Sequence, residues 1–284
     1  MLDKIPIIIG PTAVGKTKYA IDYAIKSGAE IISADSMQVY RFMNIGTAKP
    51  SIDQLKAVNH LLIDIVDPDE SWNLNLFLKK TKALLSLNKN FIIVGGTGLY
   101  IRSLIYNFIT PEIKSDEKIR DRYNQLANSG SATFLHDLLL ERDPESADKI
   151  NKNDRFRLIR ALEVCDLTGK KASQVKSQDE AYAKNFKLIC LYKDREKLYS
   201  DINMRVDHMI LSGLFEEVSE LLARGYSPEL TSMQALGYKE TVQFLNNKLT
   251  KEECIELIKK KTRNFAKRQL TWYRSFPDVE WVAV

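Results

Sequence analysis

The sequence predicts an α/β protein: a P-loop-type core, with a parallel sheet and helices on both faces, plus a helical insertion domain. Three observations carry this. The first hundred residues alternate short uncharged apolar runs with amphipathic stretches. From about Pro111 to Asn185 only helical periods appear, bounded by turn signals. Between the first strand and the first helix, Gly10, Pro11, Thr12, Ala13, Val14, Gly15, Lys16 and Thr17 fit G-x-x-x-x-G-K-[ST].

In chain order, Ile5 to Ile9 reads as a buried strand. Lys16 to Lys26 reads as a helix with Ala20, Ile21, Ala24 and Ile25 on one face. Glu30 to Ala34 is a second strand, Leu61 to Val66 a third, Leu74 to Leu87 a helix, and Asn90 to Gly95 a further strand. Strands that are apolar throughout suit a parallel sheet covered on both sides. In the helical stretch, Arg155 to Cys165 places Leu158, Ile159, Leu162 and Cys165 on one face and lets Arg157 and Arg160 share another. Phe186 to Tyr192 returns to strand. Helices follow, with Val206, Met209, Ile210, Leu214, Val218, Leu221 and Leu222 recurring at three- and four-residue steps; further helices span Ser232 to Asn246 and Lys251 to Arg274, and Asp278 to Val282 is a last short strand. The expected domains are 1–112 with 186–284 as the catalytic core, and 113–185 as the helical insertion.

Composition limits the class. Of 284 residues, 44% are hydrophobic and 28% charged, which excludes general disorder. No apolar run approaches the roughly 20 residues of a membrane helix, and Met1-Leu2-Asp3-Lys4 leads straight into a strand with no export segment, so a cytoplasmic protein is expected. Three dispersed cysteines (Cys165, Cys190, Cys254) and three scattered histidines give neither a disulfide framework nor a zinc spacing. The net charge is +5, compatible with an anionic partner. From Lys259 to Arg274 there are seven basic residues and no acidic one, interleaved with Phe265, Trp272 and Tyr273. Alone, such a run is more often a solvated helix face than a binding surface.

The glycine loop carries the chemistry. Its glycines let successive backbone N–H groups turn toward phosphate oxygens, and the helix that follows adds its positive end. Lys16 supplies a cation to the outer phosphate, and the Thr17 hydroxyl is placed to hold Mg²⁺. The loop does not say what the polyphosphate carries. A nucleotide hydrolase or kinase would place an acid at the end of another buried strand, yet Phe91 to Val94 ends in Gly95-Gly96-Thr97-Gly98. The second strand does end in one, Asp35. Strand carboxyl ends gather around the ligand crevice of such sheets, so Asp35 and Thr97 should both face the phosphate site. On spacing alone Asp35 serves equally as metal ligand, general base or cap. A small-molecule kinase and a nucleic-acid-binding NTPase both remain open at this point.

Further segments narrow the reading: Ser33-Ala-Asp-Ser-Met-Gln-Val-Tyr40, Ile45-Gly-Thr-Ala-Lys-Pro50, Val94-Gly-Gly-Thr-Gly-Leu-Tyr100, Asn153-Asp154, Arg160-Ala-Leu-Glu-Val164, Ala235-Leu-Gly-Tyr238 and Lys267-Arg-Gln-Leu-Thr-Trp272. With the glycine loop, and in this order, they resemble the tRNA dimethylallyltransferase (tRNA isopentenyltransferase) family over nearly the whole chain. That resemblance implies transfer of a dimethylallyl group from dimethylallyl diphosphate to N6 of adenosine 37, beside the tRNA anticodon, with release of diphosphate. It also implies roles. Residues 10–17 would hold the diphosphate, Thr17 with Mg²⁺. Asp35 would be the general base and Thr97 would hydrogen-bond near the reacting base. Lys16 and Arg205 would stabilise the leaving group. Asp35, Ser36, Met37, Gln38, Thr97, Arg120, Phe156, Arg157, Leu158, Ile159 and Arg160 would touch the anticodon stem-loop. A monomer without membrane contact is expected. The chain departs from the family pattern at Phe156, where Gln is usual, at Asn151-Lys152, where His-Pro is usual, and at His60-Leu61, where a second His is usual. An aromatic at 156 suits stacking on a base.

Overall fold

The structure, a computed structural model, describes residues 4–106, 113, 115–131, 133–175 and 184–284. The chain forms two compact units, 1–105 with 181–284, and 106–180. The expected boundaries at 112/113 and 185/186 lie a few residues later at both crossings.

The larger unit opens with β1 (Ile5–Ile9), α1 (Lys16–Ser27), β2 (Glu30–Ser33), α2 (Ile52–Ala57), β3 (His60–Leu61), α3 (Leu74–Leu85), β4 (Phe91–Val94) and α4 (Gly98–Ile105). The smaller unit follows with α5 (Glu117–Ser129), α6 (Phe134–Arg142), α7 (Pro144–Lys149), α8 (Arg155–Thr168) and α9 (Ala172–Val175). The chain returns to the larger unit with β5 (Phe186–Tyr192), α10 (Arg195–Leu211), α11 (Leu214–Ala223), α12 (Tyr238–Leu245), α13 (Lys251–Arg274) and β6 (Val279–Ala283). The six strands form one parallel sheet in the order β3-β2-β4-β1-β5-β6, with helices on both sides.

Alternation along the strands explains the two covered faces. Ile8, Ile31, Ile92, Ile189 and Leu191 pack with Ala20 and Ala24 of α1, Leu198 and Ile202 of α10, and Ala266 of α13. The intervening Ile7, Ile9, Ile32 and Ile93 are equally buried on the other face. Pro6 has no N–H to give, yet lies in a central strand; the ladder to β4 begins only at Ile7, so no bond to that neighbour is lost.

Three expected elements come out shorter. The third strand is only His60–Leu61, because Leu62 and Asp64 take positive φ and break the extended run; contact resumes as a single bridge between Tyr40 and Val66. The helix expected from Ser232 begins at Tyr238, after turns through Gly237 at φ 94°. The Leu74 helix stops at Leu85. On α1, Ile25 is 61% exposed rather than packed with Ala20, Ile21 and Ala24.

The smaller unit has its own core, built from Tyr123, Leu135, Leu139, Leu158, Ile159, Leu162 and their neighbours. Inside it, the fully buried Glu163 accepts from Arg120 Nε (2.9 Å) and Nη2 (3.1 Å), Arg160 Nη1 (2.5 Å) and Asp116 N (2.8 Å). Burial pushes this carboxyl up, but the two guanidinium groups and the amide outweigh that and hold it below its ordinary value. Among the described residues, no helix is long and apolar enough to cross a membrane.

Candidate active site

Because β1 lies beside β4 and β4 beside β2, the segments that follow these strands emerge side by side at one edge of the sheet. Residues 10–17 follow β1, Asp35 to Gln38 follow β2, and Gly95 to Thr97 follow β4. Their closeness demands glycine. A Cβ at Gly95 would overlap the Ala34 carbonyl, and one at Gly10 would lie 2.8 Å from the Leu191 carbonyl oxygen. Gly15 sits at φ 101° as the residue before α1, with no side-chain cap, so the first N–H groups of the helix are left for an anion.

These segments, with α10 and α13, enclose a pocket of about 600 Å³. Thr12, Ala13, Gly15, Lys16, Thr17, Asp35, Ser36, Met37, Gln38, Thr97 and Arg205 all line it, so the expected diphosphate, base and leaving-group residues come together. Gly10, Pro11 and Val14 lie buried behind the loop and shape it. Val206, Met209, Ile258 and Phe265 supply apolar lining.

The electrostatics are concentrated at Lys16. Its Nζ donates to the carbonyls of Gly10 (2.8 Å) and Pro11 (2.9 Å). Burial, and then the nearby Arg205 charge, push its pKa down to about 8, while Asp35 pulls the other way. Burial also lowers Arg205, again opposed by Asp35. Two cations are thus held together against their mutual repulsion, an arrangement that an entering polyanion relieves.

Asp35 Oδ1 accepts from the backbone N–H of Met37 (2.8 Å) and Gln38 (3.3 Å), which is the capping use weighed from sequence. No described residue donates to its Oδ2. Thr97 Oγ1 accepts from Ser36 N at 3.1 Å and so fixes the segment after Asp35. Gln38 is spent internally: its amide donates to the carbonyls of Thr47 (3.3 Å) and Ala48 (3.2 Å) and accepts from Ser33 Oγ (3.2 Å). Among the described residues no cluster of three or more His, Cys, Asp or Glu could hold a metal. The Thr17 hydroxyl, which has no hydrogen-bond partner among the described residues, is a hard oxygen ligand of the kind that Mg²⁺ takes together with phosphate oxygens and water.

Of the expected RNA contacts in the smaller unit, Arg120, Phe156, Ile159 and Arg160 line a groove together with Asn124 and Arg155. Leu158 and Ile159 are 2% and 6% exposed and belong to that unit's core; Ile159 forms part of the groove floor, and Leu158 does not line it. Phe156 is 74% exposed. Arg120 and Arg160 share Glu163, and Arg157 Nε lies 3.3 Å from Asp154. On α13, Lys259 pairs with Asp207 and Glu256, Lys261 with Glu240, and Arg263 donates to Asn203. Lys259, Lys261 and Arg263 of the basic run are therefore matched within the protein.

Two functional contributors escape a reading of residue types. Glu217 of α11 accepts from the backbone N–H of Asn44 (2.8 Å), Ile45 (2.8 Å) and Gly46 (3.2 Å) and from Tyr238 Oη (2.6 Å), holding the Ile45–Pro50 segment that Gln38 also grips. Gln269 of α13 reaches the glycine loop itself. Both lie far along the chain from what they hold; the segments Ala235 to Tyr238 and Lys267 to Trp272 were the available signal.

Fold and pocket together define an α/β enzyme with a P-loop-type core, a six-stranded parallel sheet whose phosphate-type loop opens onto one pocket. Residues 38–276 match the family model described as IPP transferase. The chain is 45% identical to the tRNA dimethylallyltransferase of Acetivibrio thermocellus over 287 residues, covering 99% of this chain and 92% of that one. Its structure is similar to the full-length tRNA isopentenylpyrophosphate transferase of Bacillus halodurans, with a TM-score of 0.73, 40% identity, and 99% of this chain and 90% of that chain covered. It is also similar to a eukaryotic dimethylallyltransferase acting on tRNA, with a TM-score of 0.78 at 28% identity, covering 99% of this chain and 74% of that one. The chain belongs to the tRNA dimethylallyltransferase family.

Proposed function

We propose that this protein transfers a dimethylallyl group from dimethylallyl diphosphate to N6 of adenosine 37, beside the tRNA anticodon, releasing diphosphate. The observation that carries the reading is one pocket holding both halves of that chemistry. Two half-buried, mutually repelling cations and a phosphate loop suit a departing diphosphate, and an aspartate oxygen with no donor among the described residues suits the proton of an attacking amine.

In this reading the diphosphate lies in residues 10–17. N6 attacks the allylic carbon as its bond to the diphosphate oxygen breaks, and the bonding pair leaves with the diphosphate. Lys16 and Arg205 stabilise the charge that builds there. Asp35 accepts the N6 proton through Oδ2. Thr97 holds the Asp35–Gln38 segment in register beneath the adenine, which must leave its stack to enter. Thr17 would hold Mg²⁺, which when bound supplies further positive charge to the diphosphate oxygens. Phe156 offers an exposed ring to a base of the anticodon arm, with Arg120, Arg157 and Arg160 adding positive charge around it. The working form is a cytoplasmic monomer.

Transfer of radiolabelled dimethylallyl from its diphosphate to unmodified tRNA, with Mg²⁺ and no ATP, tests this. Label mapping to the adenosine beside the anticodon is expected. ATP hydrolysis, or phosphorylation of a small acceptor, with no label in tRNA would overturn it.

A further inference from the structure

Gln269 lies in the segment Lys267-Arg-Gln-Leu-Thr-Trp272, to which the proposed chemistry assigns nothing. It is 5% exposed, and its buried amide uses both ends. Oε1 accepts from the backbone N–H of Thr12 at 2.8 Å, in the phosphate loop. Nε2 donates to the Gly96 carbonyl at 2.9 Å, in the segment after β4. The two partners settle which way the amide points, since an N–H can face only the oxygen and a carbonyl only the nitrogen. Gly96 leaves room for this approach, because a Cβ there would sit 2.5 Å from Nε2. One helical turn later the buried Tyr273 hydroxyl donates to the same Gly96 carbonyl at 3.0 Å.

The ladder between β1 and β4 runs through Ile7–Ile93 and Ile8–Val94, and past Gly95 N, which donates to Ile8, the two segments separate. Gln269 continues the link beyond the point where backbone pairing stops. On one side it fixes Thr12, where the anion cradle begins. On the other it fixes Gly96, whose neighbour Thr97 holds Ser36 and thereby the segment carrying Asp35. The donor cradle and the base therefore hang on one hydrogen-bonded chain. In a displacement the separation and alignment of nucleophile and leaving group set the rate, and a shift of about 1 Å costs on the order of 100-fold.

We infer that Gln269 is a positioning residue for the transfer step, locking the diphosphate loop to the Thr97–Asp35 side of the pocket; the inference rests on the function proposed above. The test is single-turnover transfer from saturating dimethylallyl diphosphate to bound tRNA, well below the melting temperature. Gln269→Met fills a similar volume with neither bond. Its rate constant should fall by about 10- to 100-fold, with the amplitude retained and tRNA affinity within about twofold of wild type. Gln269→Glu keeps an acceptor for Thr12 but has nothing to donate to Gly96, and should fall at least as far. Tyr273→Phe removes only the second link to Gly96 and should lower the same rate constant to a smaller degree, so the inference stays testable if a Gln269 variant folds poorly. A lower amplitude with an unchanged rate constant would make Gln269 merely structural and overturn the inference, as would an unchanged rate constant in all three variants. A wild-type protein that transfers nothing would instead overturn the functional reading.

Discussion

At the scale of single residues, Asp35 divides its two oxygens between structure and chemistry. Oδ1 caps the turn through Met37 and Gln38, and Oδ2 meets no described donor. Asp35→Asn preserves the cap, since the amide oxygen still accepts, and removes the anionic base. Turnover should fall by about 10²- to 10⁴-fold while tRNA affinity holds, measured by single-turnover transfer and filter binding. Equal losses of turnover and tRNA affinity would show that the carboxylate serves binding instead. Arg205 shows the opposite balance. It is half-buried beside Lys16 and depresses it, and Asp35 offsets that repulsion only in part, so in the free protein it carries a cost that an entering anion relieves. Arg205→Gln should leave the melting temperature equal to or above wild type, abolish most of the thermal stabilisation that added diphosphate gives, and slow transfer by about 10²-fold or more. A variant that melts lower and still gains stability from diphosphate would contradict that account.

At the scale of elements, α13 and α8 each do two jobs with one helix. The pocket-facing side of α13 brings Ile258, Phe265 and Gln269 to the reaction site, while Lys259, Lys261 and Arg263 tie the helix to Asp207, Glu240 and Asn203. Helix α8 presents Phe156 outward and buries Glu163 four donors deep. Charged hydrogen bonds of this kind are worth about 1.5–3 kcal/mol, so Glu163→Gln should destabilise the smaller unit by that order. The pH dependence has a definite sign. The folded carboxyl titrates below its unfolded value near 4.5, so its contribution is complete above that value and is lost as pH falls through the lower, folded one. Urea unfolding between neutral pH and about pH 3, followed by a probe in residues 115–175, should therefore show a wild-type loss on the acid side that is flatter in Glu163→Gln. Parallel curves for the two proteins would mean that Glu163 contributes no linkage.

At the scale of the whole molecule, what could be read from sequence follows the range of the interactions involved. The parallel sheet, the phosphate loop and the convergence of Asp35 with Thr97 depend on short apolar strands and on glycines beside them, and these are local patterns. Lys251–Arg274 was equally plain, because a single amphipathic period runs its full length. The third strand ends sooner than its apolar pattern predicts because Leu62 and Asp64 take positive φ, which their residue types do not signal. The roles of Gln269 and Glu217 cannot be read from residue type for a related reason: each acts on backbone groups more than 170 residues away, and backbone groups carry no signature in a sequence. The basic run illustrates the same limit in charge. Seven cations between Lys259 and Arg274 with no acid among them look like one surface, yet Lys259, Lys261 and Arg263 are already matched within the fold. Lys260, Lys267 and Arg274, spaced by seven residues, share one exposed side of α13 and join no ion pair among the described residues. If the net charge of +5 is used on RNA through this helix, those three should carry it. Replacing all three by Gln should lower the slope of log affinity for tRNA against log salt by about 2, with little change in stability. Replacing Lys259 and Lys261 instead should cost stability and leave the slope alone, because their counterions are protein carboxylates that release nothing when RNA binds. An unchanged slope in the triple variant would return α13's outer side to the solvent.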